Sequence, residues 1–228
     1  CHYPRPVRRG TSHHCERSNT MQVRDIRPQK AQLRDKYKQM RRDMPSDVKE
    51  GKDRRIAERI VRLWQYRQNE VLLTYVSTPI EVDTRRIIER ALKDGKRVAV
   101  PRCVPDTRSM EFYFIDGIDE LEPGCFGVLE PRPDPEKRLT DLDAGLCLVP
   151  AFSYDWHGFR LGYGKGYYDR FLSRFNGNIV GICYSEGIRP TLPHGRFDRA
   201  VELLVTDRFL RRIPKENAVK KEREKHGR

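Results

Sequence analysis

The sequence predicts an α/β fold: an open, mostly parallel sheet with helices on both faces, three layers in all. Three observations lead there. Short apolar runs such as Val71-Leu-Leu-Thr-Tyr-Val76 are continuous rather than alternating, as strands buried on both faces are. These runs take turns along the chain with stretches of helical apolar spacing, the pattern of parallel strands joined by helical crossovers. The length of 228 residues suffices for one domain with a substantial core.

The elements follow in order. Pro28 to Arg42 places Ala31, Leu33, Tyr37 and Met40 on one broad side and reads as an amphipathic helix. Lys30 and Arg34, four apart, point the same way from it; they either clamp a polyphosphate or sit as two charges on a wet face. Pro45-Ser46-Asp47 is expected to cap a second helix with Ile56, Ile60, Val61 and Trp64 inward. Val71 to Val76 is the first strand. Ser77 to Thr84 then leads into a helix with Ile87, Ile88, Ala91 and Leu92 inward and Gly95 as its stop. Glu81 lies just past the carboxyl end of the first strand, where open α/β sheets gather ligand groups; a carboxylate complementing the next helix's dipole is the alternative.

Arg97 to Pro101 and Met110 to Ile115 are the next strands. Residues 116–143, with Pro123, Gly124, Gly127, Pro131, Pro133 and Pro135, form a passage too long for a simple connector, a length that often accompanies function. Gly145 to Val149, Ile179 to Tyr184 and Val201 to Val205 complete the strands, and a short helix is expected after Arg208. The expected division is an extraneous or disordered segment 1–20, with Met21 as the natural start, one α/β domain over 21–212, and a basic disordered tail over 213–228.

The net charge of +13 invites a nucleic-acid reading, but it is unevenly placed. Residues 1–20 carry +3, residues 21–60 carry +6 and residues 208–228 carry +6, leaving −2 for residues 61–207. The body is therefore not basic, and no RNA-recognition or zinc-finger spacing is present, so no specific nucleic-acid partner is expected. The six cysteines include no C-x-x-C pair, which points to a reducing compartment, and Cys147 and Cys183 sit in apolar strands as ordinary buried thiols. His13-His14-Cys15 reads as an adventitious metal trap at most. No apolar stretch approaches the ~18–20 residues of a membrane helix, so a cytoplasmic, membrane-free protein, by default a monomer, is expected.

The chemistry concentrates in Arg160-Leu-Gly-Tyr-Gly-Lys-Gly-Tyr-Tyr-Asp169, read as the loop between a strand and a helix with Tyr167, Tyr168, Phe171, Leu172 and Phe175 on one apolar face. Gly162, Gly164 and Gly166 lack Cβ atoms and can turn N–H groups toward an anion. A Walker A loop is excluded, because Lys165 is followed by Gly166 rather than Ser or Thr; the dinucleotide fingerprint fails on its G-x-G-x-G spacing. A phosphate-binding loop with Arg160, Lys165 and Asp169 at its rim is what remains. Of Tyr167 and Tyr168, adjacent on the helix, at least one is expected in the core. His157 and His194 are assigned no role.

Several separated pieces together resemble one family. Lys30…Arg34, Tyr75-Val-Ser…Glu81-Val-Asp-Thr84, Gly127-Val-Leu-Glu-Pro131, Leu148-Val-Pro150, the Arg160–Asp169 block and Leu192-Pro…Asp198…Val205-Thr206 are similar to 5-formyltetrahydrofolate cyclo-ligase, over roughly residues 28–207. Ala151-Phe-Ser-Tyr-Asp155 departs from the family's more usual Gly-Val-Ala-Phe-Asp but keeps Asp155. The resemblance implies ATP-driven closure of the imidazoline ring of 5-formyltetrahydrofolate with Mg²⁺. In it Lys30, Arg34, Arg160, Leu161, Gly162, Tyr163, Gly164, Lys165, Gly166, Tyr167 and Tyr168 hold ATP. Val76, Glu81, Tyr163, Gly164, Lys165, Gly166 and Tyr167 hold the folate, and Asp169 and Asp198 serve the metal. A pterin's adjacent amino group and ring N–H suit a carboxylate, which gives Glu81 its reason to be acidic. Polyglutamated folates are within the expectation. Two other readings compete: a catalytically inactive binding module with basic ends on nucleic acid, and a sugar-phosphate enzyme on the same scaffold.

Overall fold

The computed structural model describes residues 25–195 and 197–214. The expectations for residues 1–20, for Met21 as a start and for the tail beyond Pro214 lie outside the described residues.

Three helices open the chain: α1 (Arg27–Arg42), α2 (Ser46–Arg62) and α3 (Trp64–Gln68). Strand β1 (Val71–Leu73), helix α4 (Arg85–Lys93), and strands β2 (Arg97–Cys103) and β3 (Met110–Ile115) follow. Short strands β4 (Glu122–Pro123) and β5 (Leu129–Glu130) pair antiparallel inside the long passage. Then come β6 (Leu146–Pro150), β7 (Ser153–Asp155), β8 (Arg160–Leu161), helix α5 (Tyr167–Leu172) and β9 (Asn178–Ile182). The short β10 (Ile188–Arg189), β11 (Leu203–Val205) and β12 (Leu210–Arg212) close the chain.

The main sheet runs β12-β11-β9-β6-β1-β2-β3, with its five central strands parallel and an antiparallel strand at each edge. Strand residues alternate between two cores. Leu72, Val98, Val100, Leu148 and Val180 pack with Ile56, Ile60, Ile87 and Ile88 of α2 and α4 on one face. Leu73, Ala99, Cys147, Val149 and Leu204 pack with Phe171 and Leu172 of α5 and with Phe175 on the other. The expected three-layer α/β architecture is therefore the observed one.

Several local expectations change. The first strand stops at Leu73, because Thr84 Oγ1 donates to the Tyr75 carbonyl at 2.6 Å and the Tyr75 hydroxyl donates to the Val82 carbonyl, folding 74–84 into a loop. Trp64 is 67% exposed rather than inward; α2 ends at Arg62, and Leu63 takes the buried place. Pro45 occupies the cap position of α2 without a side-chain hydrogen bond, so Ser46 and Asp47 are not its cap. The segment after Arg208 is strand β12, not a helix, and Ile213, one residue past the expected boundary, is buried against the core. Nor does the glycine loop follow β6 directly. A hairpin of β7 and β8 intervenes, joined by β10 in a second small sheet.

That hairpin aims the loop. Asp155, buried, accepts hydrogen bonds from the N–H groups of His157 and Phe159 through one carboxylate oxygen and from Leu192 N–H through the other. One side chain thus holds both the hairpin turn and the 190s segment.

Candidate active site

The order of strands around β1 reverses direction: β2 lies on one side of it and β6 on the other. Crevices outside the carboxyl ends of strands at such a reversal are where open α/β sheets bind ligands. The loop after β1 carries Glu81, and the chain after β6 leads through the hairpin to the glycine loop.

Glu81 is 6% exposed and fixed within its loop: Oε2 accepts from Thr78 N–H at 2.8 Å while its own N–H donates to the Thr78 carbonyl. It lies four residues before α4 begins, so the helix-dipole alternative falls away. Tyr75, Tyr163 and Tyr168 surround this carboxylate. Burial first, and then the Glu81 charge, push the phenols of Tyr75 and Tyr163 above their usual range; burial leads for Tyr168 too, with Cys147 and then Glu81 adding to it. All three therefore remain O–H donors. Among the described residues the Tyr168 hydroxyl and Thr78 Oγ1 are occluded from solvent and make no hydrogen bond of ordinary length, Thr78 Oγ1 standing next to the Tyr163 hydroxyl. Buried polar groups are rarely left so, and two beside one buried carboxylate mark a place where a ligand could complete the bonding.

On the other side of the glycine loop, α1 delivers its cations. Arg34 Nε donates to the Gly162 carbonyl at 2.8 Å, and burial lowers its pKa. Lys30 Nζ meets Asp198 Oδ2 at 2.7 Å. Burial works to raise the Asp198 carboxyl, but Lys30 and the Gly195 N–H outweigh it and hold the group below the usual carboxylate range. Arg160, nearly buried, donates to Asp169 Oδ1 and to the Arg199 carbonyl, and Arg199 N–H reaches the same Asp169 oxygen. Asp198 also feels Arg160, so the two aspartates share one cation. Gly164 has a left-handed φ of +89°, and a Cβ there would come within 3.0 Å of the Arg34 guanidinium. The backbone angle favours glycine, and a side chain there would also push the guanidinium aside. Gly162, Gly164 and Lys165 edge an open surface beside Tyr163, which is 46% exposed, while Leu161 beneath them is buried.

This geometry sets a group of cations beside a buried carboxylate and the tyrosines around it. The sequence model of the 5-formyltetrahydrofolate cyclo-ligase family matches residues 26–207. The chain belongs to that family. It is accordingly a ligase of folate metabolism.

A probable 5-formyltetrahydrofolate cyclo-ligase of Schizosaccharomyces pombe is 32% identical over 175 residues, 69% of this chain and 85% of that protein. The Aquifex aeolicus 5,10-methenyltetrahydrofolate synthetase superposes with a TM-score of 0.72 at 28% identity, over 82% of this chain and 93% of its own. A synthetase of the same name from Mycoplasma pneumoniae shares the fold, with a TM-score of 0.60 at 22% identity over 78% of this chain and 98% of its own.

In this cyclo-ligase fold the sequence-expected residues fall into two neighbouring groups, Lys30, Arg34, Arg160, Asp169 and Asp198 on one side and Glu81, Tyr163 and Tyr168 on the other. Val76 is buried in the core below the Glu81 loop. Tyr167 and Tyr168 both pack against the α5-side core, and the Tyr167 ring points its hydroxyl toward Cys103. His194 stacks on Phe159 with ring centroids 3.7 Å apart, a packing role. Sequence reasoning missed Arg41. Buried, it donates to the carbonyls of Ala151, Phe152 and Ile80 and stands over the Phe152 and Tyr184 rings, tying α1 to β6 and to the Glu81 loop. Its spacing from Arg34, two helical turns, was the available signal. Among the described residues no helix is long and apolar enough to cross a membrane.

Proposed function

We propose that the protein converts 5-formyltetrahydrofolate to 5,10-methenyltetrahydrofolate with ATP, releasing ADP and phosphate. The observation that carries this reading is the buried Glu81 carboxylate flanked by the unpartnered Tyr168 hydroxyl and Thr78 Oγ1. A pterin presents donors to the carboxylate and acceptors to the hydroxyls, so one planar ligand satisfies all three. The cradle of Lys30, Arg34 and the glycine loop beside it suits a polyphosphate.

An N-formyl oxygen leaves poorly, so ATP phosphorylates it first. The N10 amine then attacks the formyl carbon, the C–O bond breaks, and phosphate departs while the N10 proton goes to solvent or phosphate. Glu81 orients the pterin so that N10 faces that carbon; Arg34 and Lys165 neutralise charge on the moving phosphoryl. Lys30 gives up part of its hold on Asp198 as nucleotide enters.

Mg²⁺ fits the donor set. Asp169 and Asp198 each commit one oxygen to hydrogen bonds, Oδ1 and Oδ2 respectively, and leave the other outside them among the described residues. Hard carboxylate oxygens with nucleotide oxygens and waters are what this ion takes, and when bound it supplies charge neutralisation at the polyphosphate. The experiment is to mix protein, 5-formyltetrahydrofolate, ATP and Mg²⁺ and follow the absorbance of the methenyl product. No turnover with a folded protein overturns the reading. Asp169→Asn should raise the Mg²⁺ concentration needed for half-maximal rate; an unchanged Mg²⁺ dependence removes Asp169 from the metal site.

A further inference from the structure

Outside the site just described, one group of side chains has the composition of a metal centre. Cys103 ends β2, Cys125 sits in the 3₁₀ turn Cys125–Gly127 between β4 and β5, and Glu130 ends β5. Their two sulfurs and a carboxylate oxygen all lie within 4.8 Å of one another. We propose that Cys103, Cys125 and Glu130 form a binding site for a thiophilic divalent cation of the zinc class.

The distances suit such an ion. Zinc binds sulfur at about 2.3 Å, which sets the sulfurs of a tetrahedral pair about 3.8 Å apart. Closing from the observed spacing takes a shift of an ångström or less, and Cys125 lies on an exposed turn that can make it. Glu130 is already placed. It is 4% exposed, its Oε1 accepts from the Cys103 N–H at 3.2 Å, and the backbone of Gly124 packs so closely on its carboxylate that a Cβ there would clash. The donors are of the right kind, since two thiolates select zinc-class ions over Mg²⁺. Three protein ligands leave the fourth position for water.

Charge also closes. Two thiolates and one carboxylate against a divalent ion leave one negative charge, and Arg102 Nη1 stands 4.0 Å from Glu130 Oε2 to meet it. Arg102 is shared with the Pro131 carbonyl and Glu122, so by itself it does not neutralise Glu130. On binding, both S–H bonds give their protons to buffer as two metal–sulfur bonds form, and no oxidant is involved. The position gives the site a consequence. Lys165 Nζ lies 5.8 Å from the ring of Phe126, next to Cys125, and the Tyr167 hydroxyl faces Cys103. A bound ion would pin the β4–β5 turn against the glycine loop.

The test is a Co²⁺ titration of the full-length protein, reduced and kept anaerobic, in excess Mg²⁺. We expect one equivalent of Co²⁺ to raise a thiolate-to-cobalt charge-transfer band and intense tetrahedral d–d bands, both bleached by Zn²⁺ and untouched by Mg²⁺. Cys125→Ser, an exposed change that leaves the core intact, should lose much of the charge-transfer intensity, and Cys103→Ser/Cys125→Ser all of it. Three results overturn the proposal. One is no cobalt band from the reduced protein. Another is bands that survive the double variant, which would place the ion on other residues such as His13-His14-Cys15. The third is a Cys103–Cys125 disulfide that, once reduced, takes up no metal, which would make the pair a redox couple instead.

Discussion

Two of the regions where this molecule buries charge differ in whether the charges are finished. At one, below the ends of β9 and β11, Lys52 pairs with Glu186 and faces Asp207 at 3.6 Å, while Asp53 accepts from the Tyr184 hydroxyl at 2.7 Å and pairs with Lys49. Asp207 in turn accepts from Ser185 N–H and hydroxyl. At the other, around the glycine loop, Arg34 and Lys30 meet a carbonyl and an aspartate, and among the described residues the Tyr168 hydroxyl and Thr78 Oγ1 make no hydrogen bond of ordinary length. Buried charge alone therefore does not mark a site. A network whose members satisfy one another fastens α2 to the sheet, and the one left short of partners is where we propose that a ligand binds.

The largest expected effect breaks the finished network. Lys52→Met leaves Glu186 and Asp207 without their cation and should cost about 3–5 kcal/mol of stability, as losing one partner of a buried ion pair does. Denaturant unfolding measures this, and the Michaelis constant for ATP should not move. Acid dependence sharpens the same point. Burial works to raise both carboxyls, yet the Lys52 ammonium and, for Asp207, the Ser185 N–H hold them below the ordinary range. A carboxyl whose folded pKa lies below its unfolded value stabilises above that unfolded value and loses the contribution as pH falls toward the folded one. The acid-unfolding midpoint of Lys52→Met should thus sit at higher pH than that of the natural chain, as followed by circular dichroism.

At the unfinished site the expected losses are in function. Glu81→Gln keeps the shape but removes the charge proposed to receive two pterin donors, at about 1.5–3 kcal/mol for each charge-assisted bond. The specificity constant for the folate should fall by about 100-fold or more on that scale, with a smaller change for ATP. Arg34→Ala should do the reverse, raising the Michaelis constant for ATP by about 10- to 100-fold and that for folate much less. Equal effects on the two substrates would merge the two halves of the site. Tyr168→Phe is the smallest and the most direct check of incompleteness. Removing a hydroxyl with no partner should leave unfolding free energy unchanged or slightly raised, while folate binding weakens by about 1 kcal/mol, near fivefold. A clear loss of stability would mean that the hydroxyl is satisfied within the fold.

The sequence by itself carried the layered α/β class, since apolar runs and helical periodicity are local patterns that burial on both faces imposes directly. It also carried the glycine loop, because only residues without Cβ tolerate Gly164's left-handed backbone against Arg34. The Lys30 and Arg34 pair was legible as a shared helical face, and Glu81 as a carboxylate after a strand. What remained hidden depended on partners distant in the chain. Trp64 looked inward by spacing, but α2 stopped two residues early and turned it to solvent. The β7–β8 hairpin is pinned locally, His157 and Phe159 N–H donating to Asp155, but that the same carboxylate fastens Leu192 N–H, 37 residues away, showed only in the fold. Arg41 shares a helical face with Arg34, but the carbonyls of Ala151 and Phe152 that make it structural lie 110 and 111 residues on, and Lys52 reads as one more helix-surface lysine until Glu186, 134 residues on, comes to meet it. Which charges are finished and which await a ligand is a property of the folded arrangement, because desolvation and hydrogen-bond completion are decided where separate segments meet.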